Sequence, residues 1–310
     1  MNPEVLLMDE PTSQMDPVSA EELLNTVRKV AEDTGKTIIM AEQKLERCLH
    51  LADRVIAMNE GKVVFDGKKE AERMATFLEE SERVLGKSLV ILQCDGRSEE
   101  STYVRLKREM GERLGAMVYV DFRSQMSDLR EGIKQANVDE TVDGILVQLP
   151  VIGASREELD QILSSIYPSK DVDGLNPKSR FIPAAIRAVE RLIDIFKITE
   201  DDQVAVVGAK GVLGSRLIKR LRDINVLAEG FDKGDDLSKL KDFDVVISAT
   251  GEGGLVKENM VMDGFTGIDL GFPKGDFSVE AIAKASIITP VPGGVGPMTI
   301  VSLYENLADA

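Results

Sequence analysis

Two side chains suited to proton transfer lie close together in the run Ser101 to Lys107. If the run is helical, Tyr103 and Lys107 share one face, because residues i and i+4 are neighbours on a helix surface. A phenol beside an ammonium group can lower the pKa of the lysine or relay a proton. The chain has a single histidine, so acid–base chemistry would depend on other residue types. Tyr103 and Lys107 are therefore candidate catalytic residues, although such a pair on a helix surface often has no function.

A glycine-rich run follows a β-rich segment much later in the chain. Gly208, Gly211 and Gly214 come directly after a predicted strand and open a predicted helix. This order is typical of a dinucleotide-binding turn, in which glycines let the phosphates approach the positive end of a helix. We therefore predict a nicotinamide cofactor at this turn. The Tyr-x-x-x-Lys pair of short-chain dehydrogenases follows their glycine-rich loop, whereas Tyr103 and Lys107 precede it, so that family is excluded.

An acidic residue follows the next predicted strand, Val226 to Phe231. An acid at the position of Asp232 usually binds the ribose hydroxyls and repels a 2′-phosphate, which favours NAD over NADP. Glu229 is a second candidate for the same role, and the positive charge of Lys233 acts against this preference. The predicted cofactor is therefore NAD or NADP, with NAD favoured.

The charge and composition exclude several classes of function. A net charge of −16 argues against binding to nucleic acid or to an anionic membrane surface. Cys48, Cys94 and His50 are too few for a disulfide framework or a histidine-based metal site, so no metal is predicted. The chain shows no signal peptide and no apolar run long enough to insert into a membrane. We therefore expect a cytoplasmic protein.

The candidate residues fall on predicted elements that alternate between strand and helix. Tyr103 and Lys107 lie on a predicted helix, Glu99 to Leu114, and a buried strand is predicted from Gly144 to Gln148. The alternation is repeated around the glycine-rich turn, and it favours parallel sheets with helical crossovers. The last predicted helix covers Met298 to Leu307. The 310 residues suffice for two such units, so we predict a two-lobed α/β fold.

Six runs resemble, in the same order, the bifunctional methylenetetrahydrofolate dehydrogenase/methenyltetrahydrofolate cyclohydrolase family. They are Phe65 to Lys68, Ser101 to Lys107, Asp143 to Pro150, Lys170 to Gly174, Gly208 to Gly214 and Thr289 to Thr299. The resemblance implies oxidation of 5,10-methylenetetrahydrofolate with NAD(P)⁺ and hydrolysis of the methenyl product to 10-formyltetrahydrofolate. It also implies a folate-binding catalytic domain over residues 63–175, completed by helix 297–310, a Rossmann-type NAD(P)-binding domain over residues 176–296, and a homodimer.

The resemblance assigns a role to each candidate side chain. Lys107 would be the acid–base residue of the hydrolysis, and Tyr103 would pack over the folate. Gln148 would bond Lys107 and hold its charge state, and Asp173 would bind the pterin edge. The implied substrate-binding residues are Tyr103, Asp173, Pro292, Gly293, Gly294 and Val295. The implied cofactor-binding residues are Gly208, Ala209, Lys210, Gly211, Gly214, Asp232 and Thr250.

Some runs depart from the family and leave two other functions open. Pro183 to Ile186 replaces a Pro-Cys-Thr-Pro run, Lys210 replaces a small hydroxyl residue, and Ser215 and Arg216 lack the following proline. Because these changes affect the cofactor lobe and its hinge, a cyclohydrolase-only enzyme is one alternative. A non-catalytic subunit that binds folate or a transporter partner is another, although the complete set of site residues argues against it.

The first 62 residues resemble a different class of protein. Val5 to Asp16 resembles the Walker B strand and D-loop of ABC-transporter ATPases, near to the cobalt and vitamin importer type, and Ala52 to Lys62 resembles the strands that follow. In that family Asp9 and Glu10 would hold Mg²⁺ and polarise water, but a P-loop must bind the phosphates. The chain contains no GxxxxGK[ST] run, and Gln43 replaces the switch histidine. We expect a non-catalytic ABC ATPase-like segment, with docking to a transporter as the alternative.

Overall fold

The computed structural model describes residues 3–13, 15–41, 57–59 and 62–310. The N-terminal part contains β1 (Val5–Asp9), α1 (Pro17–Thr34), β2 (Thr37–Ala41), β3 (Ala57–Asn59) and β4 (Lys62–Phe65). Strands β1 and β2 pair in parallel, and β3 and β4 pair antiparallel. The Asp16 carboxylate accepts the backbone N–H of Ser19 at 3.1 Å near the start of α1. Gln43, Cys48, His50 and the helix predicted from Lys44 to Leu51 lie outside the described residues.

The first lobe, residues 67–175, is built on a parallel sheet. Its elements are α2 (Gly67–Ser81), β5 (Ser88–Gln93), α3 (Thr102–Arg113), β6 (Met117–Phe122), α4 (Met126–Val138), β7 (Gly144–Gln148) and α5 (Arg156–Ser164). The strand order is β6-β5-β7, and Gln93 pairs with Gln148 at the carboxyl end. Strands β5 and β7 are almost wholly buried, as expected for parallel strands covered by crossover helices. Gln93 and Gln148 are therefore the last residues of two neighbouring strands, side by side at the carboxyl-terminal end of the sheet.

The second lobe, residues 184–288, contains a five-stranded parallel sheet. Its helices and strands are α6 (Ala184–Phe196), β8 (Val204–Val207), α7 (Val212–Asp223), β9 (Ala228–Phe231), β10 (Val245–Ser248), β11 (Thr266–Asp269), α8 (Val279–Ile282) and β12 (Ile287–Ile288), with short 3-10 turns at Leu237–Asp242 and Glu258–Met260. The strand order is β12-β11-β10-β8-β9. The crevice at the carboxyl ends of such strands is where α/β proteins bind ligands. These two parallel sheets with their helices confirm the predicted two-lobed α/β fold.

The C-terminal helix α9 (Val295–Ala308) packs against the first lobe. The hydroxyl of Tyr304 donates a hydrogen bond of 2.5 Å to the carbonyl oxygen of Lys107. The side-chain amide of Asn306 donates to the carbonyl oxygens of Val172 at 2.8 Å and Ile182 at 2.9 Å. Helix α9 therefore contacts both the helix that carries Lys107 and the segment that carries Asp173.

Several elements differ from the sequence expectation: helix α8 and the two 3-10 turns were not predicted, and helix α3 begins at Thr102 rather than at Glu99. Helix α5 was not predicted, and a capping box between Ser155 and Glu158 starts it. Strand β9 begins at Ala228 rather than at Val226, because the backbone N–H of Val226 still bonds the Leu221 carbonyl at the end of helix α7. Among the helices that the structure describes, none has the length and apolarity required to cross a membrane.

Candidate active site

Helix α3 carries the two residues of the predicted acid–base pair. The Ser101 hydroxyl caps the helix by accepting the N–H of Val104 at 3.3 Å. The buried side chain of Gln93 accepts the N–H of Ser101 at 3.2 Å and donates to the Glu99 carbonyl at 3.0 Å. The end of strand β5 therefore fixes the position of the first turn of α3, and with it the direction of the residues that follow.

Lys107 is buried among three other predicted site residues. Its side chain is 4% exposed, and the ammonium nitrogen lies 3.0 Å from the side-chain oxygen of Gln148. The same nitrogen lies 4.7 Å from the centroid of the Tyr103 ring, a cation–π contact. Burial lowers the pKa of Lys107, and the nearby carboxylate of Asp173 opposes this shift. The structure therefore brings the four predicted catalytic residues together.

Gln148 is oriented by its position at the end of strand β7. Its side-chain nitrogen donates to the carbonyl oxygen of Leu149 at 2.7 Å, which directs the side-chain oxygen towards Lys107. A neutral acceptor satisfies one ammonium proton without adding an opposite charge. Gln148 can therefore orient the lysine amine while leaving the effect of burial on its pKa in place.

Asp173 lies on a tight segment between the lobes. Gly174 has a φ of +73°, and a Cβ there would lie 2.6 Å from the backbone nitrogen of Pro183, so this close approach requires glycine. Burial raises the pKa of Asp173, and the positive charge of Lys107 opposes that shift. The two residues thus interact electrostatically, and a half-buried carboxylate beside an ammonium group suits the binding of an aminopyrimidine edge.

The Tyr103 hydroxyl lies against the start of helix α9. It is 3.5 Å from the carbonyl oxygen of Gly296. Burial raises the pKa of the phenol, and the Asp173 carboxylate adds to the shift, so the hydroxyl is protonated. The Tyr103 ring also contacts Phe272 of the second lobe, with ring centroids 5.3 Å apart. Tyr103 therefore lies where the two lobes and helix α9 meet.

The predicted substrate loop precedes helix α9 directly. Gly293 has a φ of +103°, and a Cβ on Gly294 would lie 2.4 Å from the carbonyl oxygen of Pro290. Pro292 is half-buried, and Val295 is the buried first residue of the helix. The start of helix α9 contacts Tyr103 through Gly296, which was not selected from the sequence and which directly follows the predicted residue Val295.

The glycine-rich turn forms a close-packed cradle between strand β8 and helix α7. A Cβ on Gly214 would lie 2.1 Å from the carbonyl oxygen of Gly208, and one on Gly208 would lie 2.8 Å from that of Ala249. The N–H groups of Gly208 and Ala209 donate to the Phe231 carbonyl at 2.8 and 3.2 Å, which joins the turn to the neighbouring strand. Both positions therefore require glycine, because a side chain would collide with the neighbouring backbone. The turn leads directly into the start of helix α7, where phosphates bind favourably.

Asp232 packs against this turn. Its carboxylate accepts the backbone N–H of Lys210 at 2.9 Å, and the Lys210 ammonium group lies 3.8 Å away. The predicted residue Thr250 lies at the end of strand β10, where its N–H donates to the Asp276 carboxylate at 2.8 Å. Gly208, Asp232 and Thr250 therefore follow three adjacent strands at one edge of the second sheet.

Three buried carboxyl groups near these sites were not selected from the sequence. Asp269 ends strand β11, and burial raises its pKa to about 6. Asp276 accepts the Ser248 hydroxyl at 2.8 Å. Asp171 is also buried, with one oxygen lacking a hydrogen-bond partner, and burial raises its pKa to about 6. The sequence could have indicated Asp269 as an acid at the end of an apolar strand. It gives no sign that Asp171 and Asp276 are buried.

Comparison with known proteins identifies the family. The model for the catalytic domain of tetrahydrofolate dehydrogenase/cyclohydrolase matches residues 65–173, and the model for its NAD(P)-binding domain matches residues 183–310. The chain belongs to the tetrahydrofolate dehydrogenase/cyclohydrolase family. This membership confirms the resemblance drawn from the six sequence runs. The models begin at residue 65, so the ABC ATPase-like character of residues 1–62 stays a prediction.

Individual relatives match over nearly their whole length. Bifunctional protein FolD of Hydrogenobaculum sp. is 33% identical over 273 residues, which cover 80% of this chain and 98% of the relative. The crystal structure of the bifunctional FolD enzyme from Campylobacter jejuni is 30% identical, covering 79% of this chain and 96% of that one, with a TM-score of 0.68. The Trypanosoma brucei enzyme, solved with NADP and an inhibitor, is 27% identical, covering 79% and 95%, with a TM-score of 0.70.

Proposed function

We propose that this enzyme oxidises 5,10-methylenetetrahydrofolate with NAD(P)⁺ and hydrolyses the methenyl product to 10-formyltetrahydrofolate. The observation that carries the proposal is the burial of Lys107 between the Gln148 oxygen, the Tyr103 ring and the Asp173 charge. A buried lysine with a lowered pKa is suited to general acid–base catalysis near neutral pH. Membership of the family, with both of its domains present, supports the same two reactions.

In the proposed hydrolysis, Lys107 moves the protons. The neutral amine takes a proton from a water molecule that adds to the methenyl carbon, which leaves a hydroxyl group on that carbon. The resulting ammonium group then gives the proton to N5 as the bond from carbon to N5 breaks, and the hydroxyl group releases its own proton to solvent as the formyl C=O forms. Gln148 keeps the amine oriented through its 3.0 Å hydrogen bond. Tyr103 supports the face of the folate, and Asp173 accepts hydrogen bonds from the pterin edge. The formyl group remains on N10.

For the oxidation, the turn at Gly208 would hold the cofactor. The glycine turn connects strand β8 to the start of helix α7, and a pyrophosphate would bind at such a helix start. Bound NAD(P)⁺ supplies the acceptor for the hydride that leaves the one-carbon unit. We propose a preference for NAD, because a 2′-phosphate would lie near the Asp232 carboxylate. The adjacent Lys210 ammonium group opposes this preference only in part, since its own side chain is exposed to solvent.

The remaining sequence predictions become parts of this proposal. The catalytic domain would span residues 63–175 with helix 297–310, and the cofactor domain residues 176–296. Residues 1–62 would be a non-catalytic segment, the enzyme would be a homodimer, and its location would be cytoplasmic. The intact glycine cradle favours the bifunctional enzyme over one that only hydrolyses.

Two absorbance assays test the proposal with the full chain. One follows methenyl formation from methylenetetrahydrofolate with NAD⁺ or NADP⁺, and the other follows hydrolysis of added methenyltetrahydrofolate without a cofactor. Lys107→Met should slow the hydrolysis at least 100-fold. Gly214→Ala should abolish the oxidation and leave the hydrolysis within about twofold, because its Cβ would collide only with the cofactor turn. The matched control is Lys134→Met, on an exposed lysine of helix α4.

The results separate the possible functions. Loss of the hydrolysis in Lys107→Met and loss of the oxidation in Gly214→Ala support the bifunctional assignment. Hydrolysis without oxidation by the unmodified enzyme would leave a cyclohydrolase-only function. A protein that catalyses neither reaction, or whose hydrolysis survives Lys107→Met, would contradict the proposal.

A further inference from the structure

Phe272 of the second lobe faces the candidate folate site of the first. It follows strand β11, and its ring lies 5.3 Å from the Tyr103 ring, at an interplanar angle of 35°. Phe272 is nevertheless 56% exposed. One face of the ring therefore contacts the site while much of the rest is open to solvent.

The loop that presents Phe272 is anchored on both sides by buried carboxylates. One oxygen of Asp269 accepts the N–H of Gly271 at 2.8 Å and that of Asp276 at 3.0 Å. A Cβ on Gly271 would lie 2.6 Å from the Asp276 carboxylate, and one on Gly275 would lie 2.6 Å from that of Asp269. Such close packing leaves the loop little freedom. The exposure of Phe272 is therefore a property of a well-defined loop.

The same anchor connects Phe272 to the cofactor edge. Asp276 accepts the N–H groups of Thr250 at 2.8 Å and Gly251 at 3.3 Å, at the end of strand β10. The loop that carries Phe272 thus lies between the predicted cofactor residue Thr250 and the predicted folate residue Tyr103. A planar ligand bound over Tyr103 would meet the Phe272 ring before it met solvent.

We propose that Phe272 is a substrate-contacting residue and that the folate ring system binds against the rings of both Tyr103 and Phe272. This inference rests on the proposed function, because it takes folate as the ligand. Aromatic pairs contact at centroid separations of about 4.5–7 Å. At 5.3 Å the two rings touch each other, so a ligand ring placed between them requires the Phe272 side chain to rotate away from Tyr103 while its loop stays in place. The exposure of Phe272 on its solvent side leaves space for that movement.

The experiment measures the affinity of tetrahydrofolate by calorimetry in the absence of any nicotinamide cofactor. Phe272→Leu retains the apolar side chain but removes the ring, and it should weaken binding about two- to tenfold. Phe272→Tyr retains a ring and should bind within about twofold of the unmodified enzyme. The matched control is Phe77→Leu, because Phe77 is a 64% exposed phenylalanine on helix α2. Thermal melts of each variant show whether the fold is intact.

Weaker binding by Phe272→Leu together with normal binding by Phe272→Tyr supports a folate contact. Equal affinity in all variants would overturn it, and so would a defect confined to the Michaelis constant for NAD(P)⁺ in the oxidation. If the unmodified enzyme binds tetrahydrofolate without converting any folate, only the proposed function fails and the binding comparison still decides the role of Phe272. If it binds no tetrahydrofolate, both proposals fail.

Discussion

The Tyr304 hydroxyl donates a 2.5 Å hydrogen bond to the backbone carbonyl of Lys107, and this contact joins the last helix to the one that carries the candidate acid–base residue. Gly111, one helical turn after Lys107, makes the contact possible. A Cβ at Gly111 would lie 2.4 Å from the Tyr304 oxygen and 2.5 Å from a methyl carbon of Val118. The position of Lys107 thus depends on the absence of a side chain at Gly111.

Gly111→Ala should displace helix α3 from Tyr304. Overpacking of this kind costs about 1–3 kcal/mol of the free energy of unfolding. Because small displacements of catalytic groups are costly, hydrolysis of methenyltetrahydrofolate should also slow at least about tenfold. Urea unfolding and the hydrolysis assay measure the two effects. Adding Tyr304→Phe removes the closest clashing atom and should restore part of the rate; an unaffected rate in Gly111→Ala would contradict this account.

The charge state of Lys107 should respond to the residue at position 148. Gln148→Glu places a carboxylate where the amide oxygen now accepts the Lys107 hydrogen bond. An opposite charge favours the protonated amine, so the pKa of Lys107 should rise by about 1 unit or more. The limb of the hydrolysis pH–rate profile that reports the neutral amine should therefore move to higher pH. Gln148→Leu removes an acceptor without adding charge, so a shift in the same direction for both variants would contradict this prediction.

Asp232 should control the choice between NAD⁺ and NADP⁺. Asp232→Ser removes the negative charge beside the Lys210 N–H but leaves a hydroxyl that can still accept it. The ratio of kcat/KM for NADP⁺ to that for NAD⁺ should rise about tenfold, equivalent to the loss of about 1.4 kcal/mol of repulsion. Glu229→Ser tests the rival acid on strand β9. If Glu229→Ser changes the ratio and Asp232→Ser does not, the preference belongs to Glu229.

The family resemblance, which rests on the order of the motifs along the chain, predicted more of the site than the chemistry of the individual residues did. The spacing of Tyr103 and Lys107 placed both on one helix face, as observed, but could not show that the lysine is 4% exposed. That burial depends on Gln148 and Asp173, which are distant in sequence and which only the family resemblance joined to Lys107. Local rules predict contacts within one element, whereas burial depends on packing between elements.

The features that were not predicted have two different origins. Helix α5 starts at a capping box that the sequence displays, and it could have been predicted from Ser155 and Glu158. The contacts of Asp276 with Thr250 and of Phe272 with Tyr103 could not, because each joins segments whose relative position is set by the folded sheets. These non-local contacts are also the ones that position the loop between the two candidate ligands.

Asp171 should lower the free energy of unfolding as the pH rises, whereas most carboxyl groups in folded proteins raise it. Burial raises its pKa from 3.8 to about 6 in the folded protein. Its contribution to stability is therefore fully present below pH 3.8 and is lost as the pH rises through 6. Between pH 5 and 7.5, the unmodified protein should lose about 1.4 kcal/mol of unfolding free energy that Asp171→Asn does not lose.

Urea unfolding of both proteins at the two pH values measures this difference. As the pH falls from 7.5 to 5, the free energy of unfolding of the unmodified protein should rise relative to that of Asp171→Asn, whatever the difference between them at neutral pH. Asp201→Asn is the control, since Asp201 is an exposed carboxyl group in the second lobe and should follow the unmodified protein. If the unmodified protein does not lose stability relative to Asp171→Asn as the pH rises from 5 to 7.5, Asp171 is ionised in the folded protein throughout this range and the prediction is wrong.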